Sequence, residues 1–123
     1  SIHGARNFPF AKESSDLDIE LPDGCGDDAY LTRLGDGLAT AFDFARPDLV
    51  IYLAGADPYH DDRLGRLGLS FAGLAERDRQ VFAHSRAHGI PVAIAMAGGY
   101  ARQIEDTVAI HATTIRLARQ LWR

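Results

Sequence analysis

The chain has few of the residues that mark several common classes of protein. Its 123 residues include one cysteine, Cys25, which excludes an internal disulfide framework and a cysteine-based zinc site and makes a cytoplasmic location the default expectation. No apolar run approaches the roughly 20 residues that span a bilayer, so no membrane partner is expected. The 17 acidic residues outnumber the 13 basic ones, and a net charge of −4 argues against a nucleic-acid partner, which would need a positive surface.

The residues that are present fit one globular domain, because 46% of them are hydrophobic and no repeat or linker divides the chain. Residues 49–54 and 92–97 are almost continuously apolar, and each segment follows a proline and ends at a glycine. This pattern is typical of strands that are buried on both faces inside a parallel sheet. Residues 16–21 alternate between acidic and apolar side chains, which predicts a half-exposed strand nearer an edge.

Three helices are predicted between and after these strands. Helical spacing places the first over about 27–46, the second from the N-cap Ser70 to Gly89, and the third from about Gln103 onward. The apolar side chains of the third helix that we expect to face the core are Ile104, Val108, Ile115, Ala118 and Trp122. The alternation of strands and helices indicates an α/β fold with a parallel sheet and helices on its faces.

In such sheets ligands bind beyond the carboxyl ends of the strands, and two loops stand out there. Asp57 follows the first buried strand, where a carboxylate can be a metal ligand, a nucleophile or the cap of a turn. The second strand leads into Gly98-Gly99-Tyr100, where two glycines allow the backbone to approach a ligand closely. The alternative for this second loop is an ordinary turn with a surface tyrosine.

The histidines and the cysteine offer weaker alternatives. His60 lies in an aspartate-rich loop, which is a possible metal site but is more typical of a solvated turn. His84 and His88 share a helix face, but they lack the intervening glutamate of the metalloprotease motif, so we expect surface histidines. Cys25 has no nearby histidine in the sequence to activate it as a nucleophile.

An aspartate after a buried strand is also typical of the receiver domains of response regulators. That family needs an acidic pair after its first strand and a lysine after its last strand. Here the first four residues carry no acidic pair, and the only lysine, Lys12, is far from the final strand. We therefore exclude a receiver domain.

A different family matches the whole chain in order. The chain resembles the second half of the histone deacetylase domain, which has the three-layer parallel-sheet arginase/deacetylase fold. The resemblance rests on these motifs: Ser1-Ile2-His3, Asn7-Phe8-Pro9, Leu21-Pro22-Asp23-Gly24, Asp27-Asp28-Ala29-Tyr30-Leu31, Ala54-Gly55-Ala56-Asp57 and Gly98-Gly99-Tyr100. The loop Asp61-Asp62-Arg63-Leu64-Gly65 looks most like the class IV branch and its bacterial relatives, and acetylpolyamine amidohydrolases are more distant members.

The resemblance implies a catalytic role for two residues. Asp57 matches a carboxylate that binds the catalytic Zn²⁺, an ion that polarises an amide and makes a hydroxide-like nucleophile available near neutral pH. Tyr100 matches the tyrosine whose hydroxyl donates to the oxyanion that develops on the acetyl carbonyl. The implied function is zinc-dependent hydrolysis of an acetylated amine, such as acetyl-lysine or an acetylated polyamine.

The resemblance also implies binding roles for six further residues. Phe8 matches an aromatic wall of the acyl-lysine channel, Leu64 an apolar residue at its rim, and Gly98 and Gly99 the glycines that frame it. Ser1 and Ile2 match contributors to a structural site for a monovalent cation such as K⁺.

Two other zinc ligands of the family, an Asp and a His, would lie before Ser1, as would its paired histidines. A catalytic zinc takes three protein ligands. We therefore expect residues 1–123 to be the C-terminal part of a single deacetylase domain that is inactive without its N-terminal segment, which becomes its expected partner. The alternative is a non-catalytic scaffold or binding module that has kept the deacetylase fold.

Overall fold

The computed structural model describes residues 1–123, and its elements follow the predicted order with one addition. The added element is a first strand of three residues, whose segment of the sequence shows no alternation of apolar and polar side chains. None of the three helices has the combined length and apolar character of a membrane span. The elements are β1 (Ile2–Gly4), β2 (Ile19–Leu21), α1 (Asp27–Ala45), β3 (Val50–Gly55), α2 (Phe71–Ala87), β4 (Val92–Ala97) and α3 (Ile104–Leu121).

The ends of the helices carry the expected local signals. Ser70 caps α2, because its hydroxyl oxygen accepts the amide hydrogen of Gly73 at 3.0 Å. Helix α1 ends at Arg46, which takes the left-handed conformation immediately before Pro47. Gly89 has a φ of 68°, a conformation that glycine adopts without strain, and it ends the segment after α2.

The strands form two parallel pairs. Strand β1 pairs with β2, and β3 pairs with β4 in a register that places Val50 opposite Val92. The sequence had predicted one sheet, but β1 and β3 are not hydrogen-bonded to each other. Instead, Ile2 of β1 and Leu53 of β3 line a common cavity of about 470 Å³. The two pairs are separate because no strand of this chain occupies the space between them.

The prediction that the central strands are buried on both faces is wrong for this chain. Tyr52 and Ala54 of β3 face the helices, whereas Ile51 and Leu53 are 68% and 67% exposed. Side chains alternate across a strand, so these two residues share the opposite face. No element of this chain covers that face, although its side chains are as apolar as those of a buried sheet face.

The predicted core face of α3 is also wrong in part. Ile104, Val108 and Ile115 are at least half exposed, and Trp122 is 45% exposed. The helix carries two apolar stripes, and it packs on α2 through the other one. The buried residues of that stripe are Thr107, Ile110, Thr114 and Leu117.

A buried ion pair lies where the helices meet β3. Arg77 and Asp78, neighbours on α2, pair at 2.8 Å with side chains only 4% and 1% exposed. The Asp78 carboxylate also accepts hydrogen bonds from the hydroxyls of Tyr52 and Thr114, each at 2.6 Å. Arg77 donates to the carbonyl oxygen of Gly55 at the end of β3. This network ties α2 to β3 and to α3, and it satisfies the charges that burial removes from water.

Removing one member of this network should destabilise the fold strongly. We expect Asp78→Ala to lower the free energy of unfolding by about 3–5 kcal/mol, because it leaves the Arg77 guanidinium buried without its counter-charge. Glu76→Ala is the matched control on the same helix, since its pair with Arg79 is exposed and should contribute at most about 1 kcal/mol. Urea denaturation measures both. Equal losses for the two variants would contradict a structural role for the buried pair.

Candidate active site

Asp57 lies immediately beyond β3, at the end of the sheet where ligands bind in parallel α/β folds. The pairing of β3 with the β4 segment continues one step past the strand, because the amide of Ala56 donates to the carbonyl oxygen of Gly98 at 2.7 Å. This pairing brings the two predicted site loops side by side. The Asp57 carboxylate then lies against Gly98, where a Cβ atom would be 3.2 Å from its Oδ1.

The surroundings of Asp57 disfavour its charge. Burial raises the pKa of its carboxyl group above the ordinary value, and the neighbouring carboxylate of Asp62 raises this pKa further. A hydrogen bond from its own backbone and, less strongly, the Arg77 and His3 side chains lower this pKa, but the raising effects outweigh them. A partly buried carboxylate of this kind is a common feature of functional sites, because a bound cation or a proton compensates for its lost hydration.

Tyr100 follows β4 and the two glycines, and its side chain is 54% exposed. Its backbone is held by the loop that follows β3: the Tyr100 amide donates to Asp62 Oδ2 at 2.5 Å, and the Arg63 amide donates to the Tyr100 carbonyl oxygen at 3.1 Å. The loop Asp61–Gly65 contacts Asp57 as well, because Gly65 lies against the Asp57 backbone.

One cavity of about 230 Å³ collects most of the predicted site residues. Its lining includes Phe8, Asp57, Leu64, Gly98 and Tyr100, which come from three separate stretches of the chain. Asp57 and Tyr100 therefore line the same cavity. Apolar side chains stand beside them.

Three predicted site residues lie outside this cavity. Gly99 packs behind it, where a Cβ atom would meet Ala56 at 3.1 Å and Thr107 more closely. Ile2 lines a second cavity of about 150 Å³ that also includes Asp57. The terminal amino group of Ser1 donates to the carbonyl oxygen of Leu17 at 2.6 Å. The cation role of Ser1 and Ile2 stays a prediction.

Two further residues, Asn7 and Gly65, line this cavity, and neither was among the predicted site residues. Asn7 is only 8% exposed, and its Oδ1 is buried without a hydrogen-bond partner. Gly65 lies so close to the Asp57 backbone that a Cβ atom would overlap the Asp57 carbonyl oxygen. The only sequence signal for either residue was its position inside a motif, beside Phe8 or Leu64.

The alternative metal sites do not form. His60 is an exposed residue that packs on the ring of Tyr59, and His84 and His88 stack on each other with ring centroids 4.5 Å apart. Cys25 is buried, and burial raises the pKa of its thiol. No group of three or more His, Cys, Asp or Glu side chains comes together anywhere in the chain. These residues alone therefore do not make a zinc site, and Asp57 fits at most one ligand position.

Residues 1–115 match the model of the histone deacetylase domain. The chain belongs to the histone deacetylase family. It is 43% identical over 122 residues to an uncharacterized protein of Picosynechococcus sp., and 37% identical over 108 residues to Histone deacetylase 2 of Arabidopsis thaliana. These alignments cover 99% and 82% of the chain, but only 41% and 28% of the two relatives.

Solved structures show the same fold. An acetylpolyamine aminohydrolase from Burkholderia pseudomallei superposes with a TM-score of 0.79 at 23% identity, over 98% of this chain and 37% of its own length. A histone deacetylase homologue in complex with SAHA superposes with a TM-score of 0.74 at 23% identity, over 99% of this chain and 34% of its own length. The predicted deacetylase fold is therefore confirmed, and the chain spans well under half the length of the family members it matches.

The close contact between Gly65 and Asp57 gives a test of how this deacetylase-family site is built. We expect Gly65→Ala to lower the free energy of unfolding by about 1–3 kcal/mol, because the new methyl group must displace the backbone that carries Asp57. Gly35→Ala, on the exposed side of α1 with only a glutamine side chain 3.8 Å away, should instead stabilise the chain by up to about 1 kcal/mol. Thermal and urea denaturation measure both. If Gly65→Ala leaves the free energy of unfolding unchanged, the loop can move away from the Asp57 backbone without cost, which contradicts a tight contact.

Proposed function

We propose that this chain forms one part of a zinc-dependent deacetylase that hydrolyses an acetylated amine, either acetyl-lysine or an acetylated polyamine. The observation that carries the proposal is the shared cavity of Asp57 and Tyr100, with Phe8 and Leu64 beside them. Family membership supports deacetylase-type hydrolysis. The names of the relatives, a histone deacetylase and an acetylpolyamine aminohydrolase, support the two candidate substrate classes.

In this proposal the residues of the chain bind and orient the substrate. Phe8 and Leu64 contact the methylene stem of the acylated amine, because an apolar wall suits a chain of CH₂ groups and leaves only the amide at the polar end of the cavity. The Tyr100 hydroxyl donates a hydrogen bond to the carbonyl oxygen and stabilises the negative charge that develops there. Gly98 leaves room for the Asp57 carboxylate beside the substrate.

Asp57 would supply one zinc ligand in the complete domain. Its lost hydration, which disfavours its charge in this chain, is the feature that a bound cation would compensate. No group of three or more metal-ligating side chains forms around it. We therefore propose that the remaining ligands come from the rest of the deacetylase domain and that residues 1–123 alone are inactive. A cytoplasmic location and a structural K⁺ ion stay predictions.

The open faces of the chain support an incomplete domain. Ile51 and Leu53 form an uncovered apolar face, and the edges of β1 and β3 border an unfilled cavity. The relatives, of which the chain covers 41% or less, contain additional residues that could occupy both places. Uncovered strand edges also promote pairing with other chains, so the isolated chain is expected to self-associate.

The second candidate function is a non-catalytic scaffold that has kept the fold. The absence of a cluster of metal ligands within the chain favours it. The grouping of a carboxylate, a phenol and two apolar walls in one cavity favours the enzyme, because a scaffold has no need of this combination. Zinc content and turnover of acetyl-lysine and acetylated polyamine by the complete domain discriminate between the two functions.

Asp57 can be tested through zinc affinity. We expect Asp57→Asn to weaken Zn²⁺ binding by the complete domain by at least tenfold, because a neutral amide replaces an anionic ligand. Asp48→Asn, an exposed position at the opposite end of β3, should leave the affinity unchanged. Titration with a competing chelator measures both variants. Unchanged affinity in Asp57→Asn, with zinc bound to the wild type, would show that the ligand assignment is wrong.

Tyr100 can be tested through turnover. We expect Tyr100→Phe to raise the activation barrier of the complete domain by about 2–4 kcal/mol, as for the loss of one oxyanion donor, with zinc affinity unchanged. Tyr59→Phe is the control, since its hydroxyl bonds Asp106 outside the cavity and its loss should leave kcat unchanged. Steady-state kinetics with an acetyl-lysine peptide and with an acetylated polyamine give both values. If Tyr100→Phe retains the wild-type rate, the tyrosine is not part of the mechanism.

A further inference from the structure

One carboxylate, that of Asp62, joins the two loops of the candidate active site. Its Oδ1 accepts hydrogen bonds from the amides of Leu64 and Gly65, both at 2.8 Å, so it closes the turn of its own loop. Its Oδ2 accepts the amide hydrogen of Tyr100, which belongs to the other loop, at 2.5 Å. Asp62 and Ala101 also form an isolated antiparallel bridge. The Asp62 side chain therefore bridges the loop after β3 and the loop after β4.

The backbone carbonyl group of Tyr100 is bound by Arg63, the residue that follows Asp62. The carbonyl oxygen of Tyr100 accepts hydrogen bonds from the amide of Arg63 at 3.1 Å and from the Arg63 side-chain Nε at 3.3 Å. Both backbone polar groups of Tyr100 are thus bound by the dipeptide Asp62-Arg63. This matters because the Tyr100 side chain is 54% exposed and follows two glycines, so neither packing nor a stiff backbone holds it in place.

The same turn is also anchored to Asp57. Gly65, whose amide donates to Asp62, lies directly against the Asp57 backbone. Asp62 therefore contacts the Tyr100 loop with one oxygen and the Asp57 side of the cavity with the other. The two groups that the proposed reaction needs are linked through this one carboxylate.

We infer that Asp62 is a positioning residue that fixes the backbone of Tyr100 relative to Asp57. The inference depends on the proposed function for what Tyr100 does, but the hydrogen bonds themselves do not. A second acidic side chain beside Asp57 is electrostatically unfavourable, since it makes the charge of Asp57 harder to maintain. The three amide hydrogen bonds to Asp62 compensate for this repulsion, because an anionic acceptor binds amide donors more strongly than a neutral one.

Asp62→Asn tests the inference, with Asp61→Asn as the matched control. An asparagine offers one carbonyl oxygen and one NH₂ group, so it can accept from the Leu64–Gly65 side or from Tyr100, but not from both. Asp61 is adjacent in sequence, but its carboxylate bonds the side chain of Arg102 at 3.0 Å and does not contact Tyr100. Any effect of lost charge alone appears in both variants.

The first measurement uses the 123-residue chain and needs no activity. We expect amide hydrogen exchange at Tyr100 to accelerate at least tenfold in Asp62→Asn and to stay within about twofold of wild type in Asp61→Asn. Unchanged exchange at Tyr100 in Asp62→Asn would overturn the inference. If this variant does not fold, Asp62→Glu, which keeps the charge but moves it by one methylene, provides the same measurement.

The second measurement uses the complete domain. We expect Asp62→Asn to lower kcat by about 10- to 100-fold while KM stays unchanged, because a displaced tyrosine loses its alignment with the substrate carbonyl. In a Tyr100→Phe background the same substitution should lower kcat by less than about twofold. A full additional loss in that background would overturn the inference, since Asp62 would then act through another group. If the wild-type domain proves inactive, the proposed function fails, and the exchange measurement alone decides the role of Asp62.

Discussion

The carboxylate of Asp78 joins three elements that apolar contacts alone would leave free to slide. It accepts hydrogen bonds from Tyr52 on β3, from Thr114 on α3 and from its neighbour Arg77 on α2. Arg77 in turn binds the carbonyl oxygen of Gly55, two residues before Asp57. The position of the candidate metal ligand is therefore set from inside the core. A buried charge is costly unless it is fully paired, so displacing α2 or α3 from β3 would leave Arg77 or Asp78 without its partners.

The candidate active site lies at the end of this hydrogen-bond network. Its own contacts are energetically less favourable than those of the core. Asp57 is partly desolvated beside a second carboxylate, Gly65 lies against its backbone with no room for a Cβ atom, and a Cβ atom at Gly98 would be 3.2 Å from its Oδ1. Such features cost stability and are tolerated where the surrounding structure is well determined. Their concentration around one cavity is the physical reason for placing function there. The exposed phenol of Tyr100 is held differently, by hydrogen bonds to its backbone from the adjacent loop.

Two apolar surfaces of this chain are not covered by any of its own elements. The sheet face of Ile51 and Leu53, and the outer stripe of α3 with Ile104 and Val108, have the composition of a protein interior while they remain exposed. A chain that spans 41% or less of its relatives can retain a well-packed core and still leave these faces open. A catalytic zinc takes three protein ligands, and no group of three metal-ligating side chains comes together in this chain.

Local signals in the sequence were sufficient for the order and type of most elements. Continuous apolar runs identified β3 and β4, and the cap at Ser70 and the glycine at 89 marked the ends of α2. The strand β1 was missed because Ile2-His3-Gly4 and its flanks show no alternation of apolar and polar side chains, whereas residues 16–21 around the equally short β2 do. The Asp57 and Tyr100 loops could be identified because glycines and polar residues follow apolar strands directly, and the family resemblance gave these residues their expected roles.

Tertiary structure decided which of two apolar stripes on α3 is buried, and it left one face of β3 open. A hydropathy pattern reports that a face is apolar but not which element covers it, so Ile115 and Leu53 were both expected inside. Tertiary structure also brought Asp62 to its partners Gly65 and Tyr100, which are 3 and 38 residues away in the sequence. The sequence determined the chemistry available at each strand end. Only the pairing of β3 with β4 decided that an aspartate and a tyrosine 43 positions apart share one cavity, because backbone hydrogen bonds between strands act across any separation in the chain.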